Sequence, residues 1–204
     1  MFGRPKIKAK VIKIGKNVKF GKNIKITGFK SKPLEYLEIG DNCVFHDDVQ
    51  IVCAPFVKIG KGNMFHNHVH VLGDEGDLVI GDYNWFGQFT LLDASGTLII
   101  GDHNTIGYNC MIWSHAVRPA CTYIDTGFNP TPGFDKRRKT QIGNYCWLLG
   151  GNTHVYPGVV VADYTMVLGN SVVHKNTVRE GFYSGSPIKK LLRTFSFAKE
   201  CDDN

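Results

Sequence analysis

An aliphatic residue or phenylalanine returns every sixth position along most of this chain, and few folds can use that spacing. The series runs Ile14, Phe20, Ile26; Ile39, Phe45, Ile51; Ile59, Phe65, Val71; Ile80, Phe86, Leu92; Ile100, Ile106, Ile112; Ile142, Leu148, Val155; Val161, Val167, Val173. These are seven groups of three, and the one departure inside a group is the seven-residue step from Leu148 to Val155, which reads as a bulge. Six is neither the helical repeat of about 3.6 nor the strand repeat of about 2. It suits a short strand plus a corner, three of which close a triangular coil of about 18 residues.

The residues around each large apolar position agree. Glycine often follows it, as at Gly15, Gly40, Gly60, Gly81, Gly101 and Gly143. Asparagine often sits two places further on, as at Asn17, Asn23, Asn42, Asn109 and Asn170. Both residue types adopt positive φ more cheaply than others, which tight corners need. The fifth place is small or β-branched (Cys43, Val49, Val69, Thr90, Cys110, Cys146, Ser171) and fits the narrow interior beside a corner. The expected fold is therefore all-β, a left-handed parallel β-helix of about seven triangular coils in series, since a lone coil cannot bury its core.

The breaks in the period locate what the coils do not explain. Small loops are expected at 27–38, 52–58, 72–79 and 93–99, and a large one at about 114–140. The large one carries Arg118, Tyr123, Asp125, Phe128, Phe134 and the basic run Lys136 to Lys139, and its length and aromatic content suit a wall or lid of a substrate site. The β-helix domain is placed at 1–187. Residues 188–204 are a tail, in which IKKLLRTFSFAKE (188–200) reads as a short amphipathic C-terminal helix.

Composition narrows the classes. No apolar run reaches about 18 residues, so no membrane-spanning helix is expected, and the basic start lacks the apolar core of a signal peptide. The six cysteines form no C-x-x-C pair, which removes support for zinc-finger or redox motifs and suits reduced thiols in a cytoplasmic protein. Eleven Lys or Arg and no acidic residue precede Glu35, leaving 13 basic against 18 acidic residues in the remainder. That basic end reads as a solvated, edge-protecting strand face, or as a peripheral contact with a phosphorylated or membrane-linked partner. Without interleaved aromatics or a reader motif it does not point to nucleic acid.

With these residues in view, the chain resembles the hexapeptide-repeat acyltransferases. The repeat covers about residues 11–175. The segment IGNYCWLLGGNTHVYPGVVVADYTMVLGNSVV (142–173) looks like the family's C-terminal signature, and Gly185-Ser186-Pro187-Ile188-Lys189 is similar to its close. Together they resemble the sugar, galactoside and polysaccharide O-acetyltransferase branch. The resemblance implies a homotrimer with sites between neighbouring prisms, acetyl-CoA as co-substrate, no metal, and a carbohydrate or a nucleotide- or lipid-linked sugar as acceptor. It places Trp147, Gly150, Gly151, Leu168, Gly169, Lys175, Ser186 and Lys189 along the CoA groove, although Trp147 fits plain packing equally well. It puts the general base at His115, at the mouth of the long loop.

The chemistry asks for such a base. A hydroxyl attacking a thioester must lose a proton, and an imidazole titrates near neutral pH. A second group should orient the other ring nitrogen; Asp93, one coil earlier on the same face, is the candidate, with stacked strands about 4.8 Å apart. Backbone N–H groups of the 113–115 turn, or of a neighbouring chain, are the expected oxyanion donors. N-acylation of an amino sugar is the alternative reaction. His66, His68 and His70 alternate as metal ligands might, and prism-shaped zinc carbonic anhydrases share this fold, but the partner histidine their pattern needs is Tyr108 here. A non-catalytic trimeric scaffold is the remaining reading.

Overall fold

The structure is a computed structural model that describes residues 4–116 and 136–191. The described chain winds through three sheets of eight, seven and nine strands, parallel but for one closing antiparallel pair and stacked as a left-handed β-helix. The first face holds, in order, Lys6–Lys8, Lys25–Thr27, Gln50–Cys53, His70–Gly73, Leu91–Asp93, Met111–Ile112, His154–Val155 and Val172–Val173. From Ile26 onward the six-residue periods fall on buried columns, whereas Ile14 in the first coil is 43% exposed. Ile51, Val71, Leu92, Ile112, Val155 and Val173 line the first face; Ile39, Ile59, Ile80, Ile100, Ile142 and Val161 line the second. The third carries Phe45, Phe65 and Phe86, whose rings stack at 4.8 and 4.6 Å, followed by Ile106, Leu148 and Val167. Each coil supplies one residue per column, so every large side chain packs on its own counterpart one coil away.

The small interior place holds more than cysteine and threonine. Between the second and third faces it is occupied in turn by Cys43, Asn63, Asn84, Asn104 and Cys146, all buried. The asparagines form a ladder. Asn63 Oδ1 accepts from Asn84 N and Nδ2 at 2.9 and 3.0 Å, and Asn84 Oδ1 accepts from Asn104 N and Nδ2, both at 2.9 Å. Asn104 Oδ1 then accepts from Cys146 N at 2.7 Å. Each buried amide thus meets a partner one coil away, which its burial requires.

The corners depart from expectation in composition. Asn17, Asn42 and Asn109 have positive φ as anticipated, but so do Tyr83 (56°), Phe89 (59°), His103 (57°), Tyr145 (54°) and Tyr164 (56°). Bulky residues there cost roughly 1–2 kcal/mol each. Stacking offsets this, because Tyr83, His103, Tyr145 and Tyr164 form a continuous pile at 5.1, 4.9 and 5.0 Å.

The excursions are shorter than the sequence suggests. The segment read as a loop at 52–58 belongs to two strands, Gln50–Cys53 and Phe56–Ile59, joined through Ala54 and Pro55. The turns after Gly73 and Asp93 span only 74–77 and 94–97, because inward residues such as Cys53 and Ala94 keep the chain on the prism. The large insertion leaves through a two-stranded antiparallel ribbon, His115–Ala116 against Lys136–Arg137, and the coil resumes at Thr140. Arg118, Tyr123, Asp125, Phe128 and Phe134 lie outside the described residues.

The helix expected from 188 does not begin there. Gly185, at φ 99°, turns the chain back so that Lys189–Lys190 pairs antiparallel with Tyr183–Ser184, which commits these backbone groups to the sheet. Residues 192–204 lie outside the described part.

Candidate active site

Asp93 ends a first-face strand and His115 follows the next strand of that face, so the parallel register of Leu91–Leu92 with Met111–Ile112 sets them side by side. His115 Nδ1 lies 2.7 Å from Asp93 Oδ2. The same oxygen accepts from the backbone N–H of Ser114 at 2.8 Å and of His115 at 2.9 Å, and from Ser114 Oγ at 3.3 Å. Asp93 Oδ1 accepts from Ser95 N at 3.1 Å. The Asp93 side chain is 4% exposed and that of His115 24%. Burial pushes the Asp93 carboxyl up, but the hydrogen bonds from His115, Ser114 and Ser95 outweigh it and leave the group below its ordinary value of 3.8. Asp93 is therefore an acceptor-only carboxylate at neutral pH. His115 must offer Nδ1–H to it, and the lone pair of its neutral ring is on Nε2.

The backbone around this pair is already engaged. Trp113 N donates to Val155 O at 2.9 Å, and the next two amides donate to Asp93. The expectation that the 113–115 turn supplies oxyanion donors does not hold, because those donors fix the dyad instead.

The dyad opens on a cleft of about 380 Å³ lined by Phe29, Ser31, Lys32, Leu72, Gly73, Asp74, Leu91, Asp93, Ser95, Trp113, His115 and Arg137. Arg137 stands opposite His115 in the ribbon and donates to Asp74 Oδ1 at 2.6 Å and to Ser95 O at 3.3 Å. It also lies 3.1 Å from Glu75. Lys32 reaches Asp74 at 3.4 Å and pairs with Glu75. Burial raises Asp74, yet Arg137 and Lys32 together hold it below its usual value. Of the cleft's charged residues the sequence singled out His115 and Asp93; Lys32 and Asp74, with Glu75 beside them, were missed, and Arg137 was known only as part of a basic run. A signal existed: the breaks after 27, 73, 93 and 114 all leave the prism at one corner, so their residues meet there.

The residues assigned to a CoA groove fall into two sets. Trp147 lies in a third-face strand and Leu168 directly follows the next one, Met166–Val167; Gly150, Gly151 and Gly169 form the corner after them, and Ser186 and Lys189 lie in the closing turn and strand. Gly150 and Gly151 have φ of 79° and 59°, and a Cβ on Gly151 would meet only Tyr108 Oη at 3.7 Å, so bare backbone faces outward there. Trp147 is 39% exposed. This corner suits close approach of an extended ligand. Lys175 is apart from it, just past the far end of Val172–Val173, on the corner that carries His115.

His66, His68 and His70 do not converge. His66 stacks on His46 and lies 4.7 Å from Trp85 at the end of the third face, His68 stacks on Phe89 at a corner, and His70 is exposed on the first face. Among the described residues no group of three or more His, Cys, Asp or Glu is arranged to hold a metal ion.

Comparisons with known proteins bear on this arrangement. No family model matches the chain. A probable macrolide acetyltransferase from Lysinibacillus sphaericus is 38% identical over 60 residues, which cover 29% of this chain and 33% of that protein. The match thus spans a third of that relative's length. Among solved structures, a point mutant of AntD, an N-acyltransferase from Bacillus cereus in complex with dTDP and coenzyme A, superposes with a TM-score of 0.58 at 13% identity, over 93% of this chain and 88% of that one. A galactoside acetyltransferase in complex with coenzyme A superposes with a TM-score of 0.50 at 17% identity, over 79% and 66%. The chain has the left-handed β-helix fold of these hexapeptide-repeat acyltransferases.

Proposed function

We propose that this protein is an acetyl-CoA-dependent acyltransferase that moves an acetyl group to a hydroxyl of a sugar-bearing acceptor, with His115 as general base and Asp93 as its positioning residue. The observation that carries this reading is the dyad itself, a buried carboxylate 2.7 Å from the ring of a cleft histidine. Its setting, on a fold shared with enzymes crystallised with coenzyme A, supports the same class.

His115 Nε2 takes the acceptor's hydroxyl proton as that oxygen bonds to the acetyl carbonyl carbon. The imidazolium formed is stabilised by Asp93, which stays ionised. Collapse breaks the carbon–sulfur bond, and the proton returns from His115 to the departing thiolate, so the base is regenerated. Acetyl-CoA supplies the activated acyl group. The corner at Gly150, Gly151 and Gly169, with Trp147, Leu168, Ser186 and Lys189, holds its extended chain in this reading, and Lys175 lies on the His115 corner where a phosphate or the pantetheine arm passes. The amides of 113–115 are engaged, so the oxyanion donors come from the neighbouring chain of a homotrimer. The four cysteines among the described residues are buried and free, which suits a reducing compartment and a cytoplasmic enzyme. No helix among the described residues is long and apolar enough to cross a membrane.

Calorimetric titration with acetyl-CoA and with free CoA tests the class without knowledge of the acceptor. Saturable binding near one site per chain is expected. No binding at millimolar ligand would overturn the proposal.

A further inference from the structure

The cleft beside His115 is chemically lopsided. Leu72, Asp93 and Trp113 succeed one another on adjacent coils of the first face, so apolar side chains flank the Asp93 position on both sides. Leu72 points out of the prism and is 44% exposed, although it belongs to a well-paired central strand and packs in no core. Leu91 lies on the same face, and Phe29 arrives from the 28–35 excursion to complete the wall. An exposed leucine alone means little, but four apolar side chains around a catalytic-type histidine form a surface that binding would cover.

The charged residues argue against one class of acceptor. Among the described residues Lys32 and Arg137 are the cations lining the cleft and Asp74 and Asp93 its carboxylates, with Glu75 beside them on the same two cations. Both cations are bound to Asp74 and Glu75, at 3.4 Å for Lys32 and at 2.6 and 3.1 Å for Arg137. A diphosphate entering here would have to displace these carboxylates and would approach Asp93 as well.

We infer that the acceptor hydroxyl is carried by an uncharged molecule with an apolar portion several carbons long, of the alkyl- or aryl-glycoside class, and not by a nucleotide- or phosphate-linked sugar. This rests on the acyltransferase reading and narrows its substrate. The hydroxyl end meets His115, while the apolar portion lies along Leu72, Leu91, Phe29 and Trp113.

The test is a binding titration read by Trp113 fluorescence, in a Trp85→Phe, Trp147→Phe background. The probes are methyl, hexyl and octyl β-glucoside below their micellar concentrations, and UDP-glucose. We expect saturable quenching with octyl and hexyl glucoside at least about tenfold tighter than with methyl glucoside, and UDP-glucose the weakest. Leu72→Glu, at an exposed position, should shrink the hexyl-to-methyl ratio severalfold. A flat chain-length series, tighter UDP-glucose, or no saturable octyl response overturns the inference. Calorimetric titration of the wild-type protein, Trp147 included, with acetyl-CoA separates the two claims. Failure to bind acetyl-CoA with the glucoside series intact defeats the transferase reading alone, and acetyl-CoA binding with a flat series defeats the acceptor inference alone.

Discussion

Asp93→Asn is the sharpest perturbation the site offers, because the shape is kept and the charge is removed. In the wild type one carboxylate oxygen takes four hydrogen bonds and the other takes one, from Ser95 N. Asparagine can keep its oxygen toward Ser114 and His115 only by turning its NH2 toward the Ser95 N–H. That leaves two donors facing each other and weakens four charge-assisted bonds to neutral ones. Together these cost about 1–3 kcal/mol of stability, which is about 3–9 °C in Tm for a chain of this length. The catalytic cost should be larger, because the imidazolium formed as the acceptor oxygen attacks has lost its counter-charge. We expect kcat to fall by about two to four orders of magnitude, the range general-base catalysis supplies. His115→Ala should fall by a similar factor, and the double variant no further than His115→Ala alone, since residues acting as a unit are not additive. Acetyl transfer measured by release of free thiol, with Tm recorded on the same preparations, separates the two effects. Independent, multiplying losses in the double variant would refute the claim that Asp93 works through His115, and more than half of wild-type activity in His115→Ala would refute the base itself.

Three further outcomes are expected. Asn84→Ala removes the oxygen that Asn104 N and Nδ2 share; Nδ2 keeps Gly143 O while the buried N–H is stranded, so denaturant unfolding should show a loss of about 1–3 kcal/mol, and a loss below about 0.5 kcal/mol would mean that the ladder is incidental. His66 has a buried Nε2 without a partner, and burial, then His46, lowers its pKa below 6.5. The unfolded chain therefore binds that proton more readily, and stability should drop as pH falls through 6.5 and level off below the folded value; His66→Phe should flatten this window in a pH series of melts. Burial pushes the thiols of Cys53, Cys110 and Cys146 up to about 12, so in a thiol-titration assay at pH 8 these three should react only after denaturant is added.

The period carried most of the fold because it is set by inward side chains alone. Every column residue from Ile39 to Val173 is buried, as the six-residue step requires. Two features were illegible for physical reasons. A positive-φ corner is read from Asn and Gly, whereas Tyr83, His103, Tyr145 and Tyr164 hold such corners through ring stacking that exists only after the coils are stacked. The asparagines at 63, 84 and 104 look polar and exposed in a single coil, and become core residues only when each finds the next. Strand ends were misread wherever a strand ran past its last periodic residue, as at Val52–Cys53. The start of the tail, 188–191, was misread because helix propensity says nothing about a free strand edge at Tyr183–Ser184 waiting to be paired.

The site follows a different logic, and its partial legibility has one cause. The family resemblance pointed to His115, and Asp93 followed by counting coils, because both sit within three residues of periodic positions and so share a register. Lys32, Asp74 and Arg137 come from excursions, where the period gives no register, and their sequence separations of 42 and 63 residues hide the contacts. What unites them is the corner itself. A β-helix repeats each corner at the strand spacing of about 4.8 Å, so insertions that leave successive coils at one corner are stacked over one another. Three excursions and the His115–Ala116/Lys136–Arg137 ribbon leave at the corner after the first face, and their described residues line the cleft beside the dyad. Counting which corner each break belongs to therefore turns a list of loops into a predicted cavity. The rule can be checked here by lengthening the 74–77 turn by two residues, which should leave the unfolding free energy within about 1 kcal/mol, since loop closure depends only weakly on length, while displacing Asp74 from Arg137 and lowering acetyl transfer; unchanged transfer kinetics would show that the stacked corner does not shape the site.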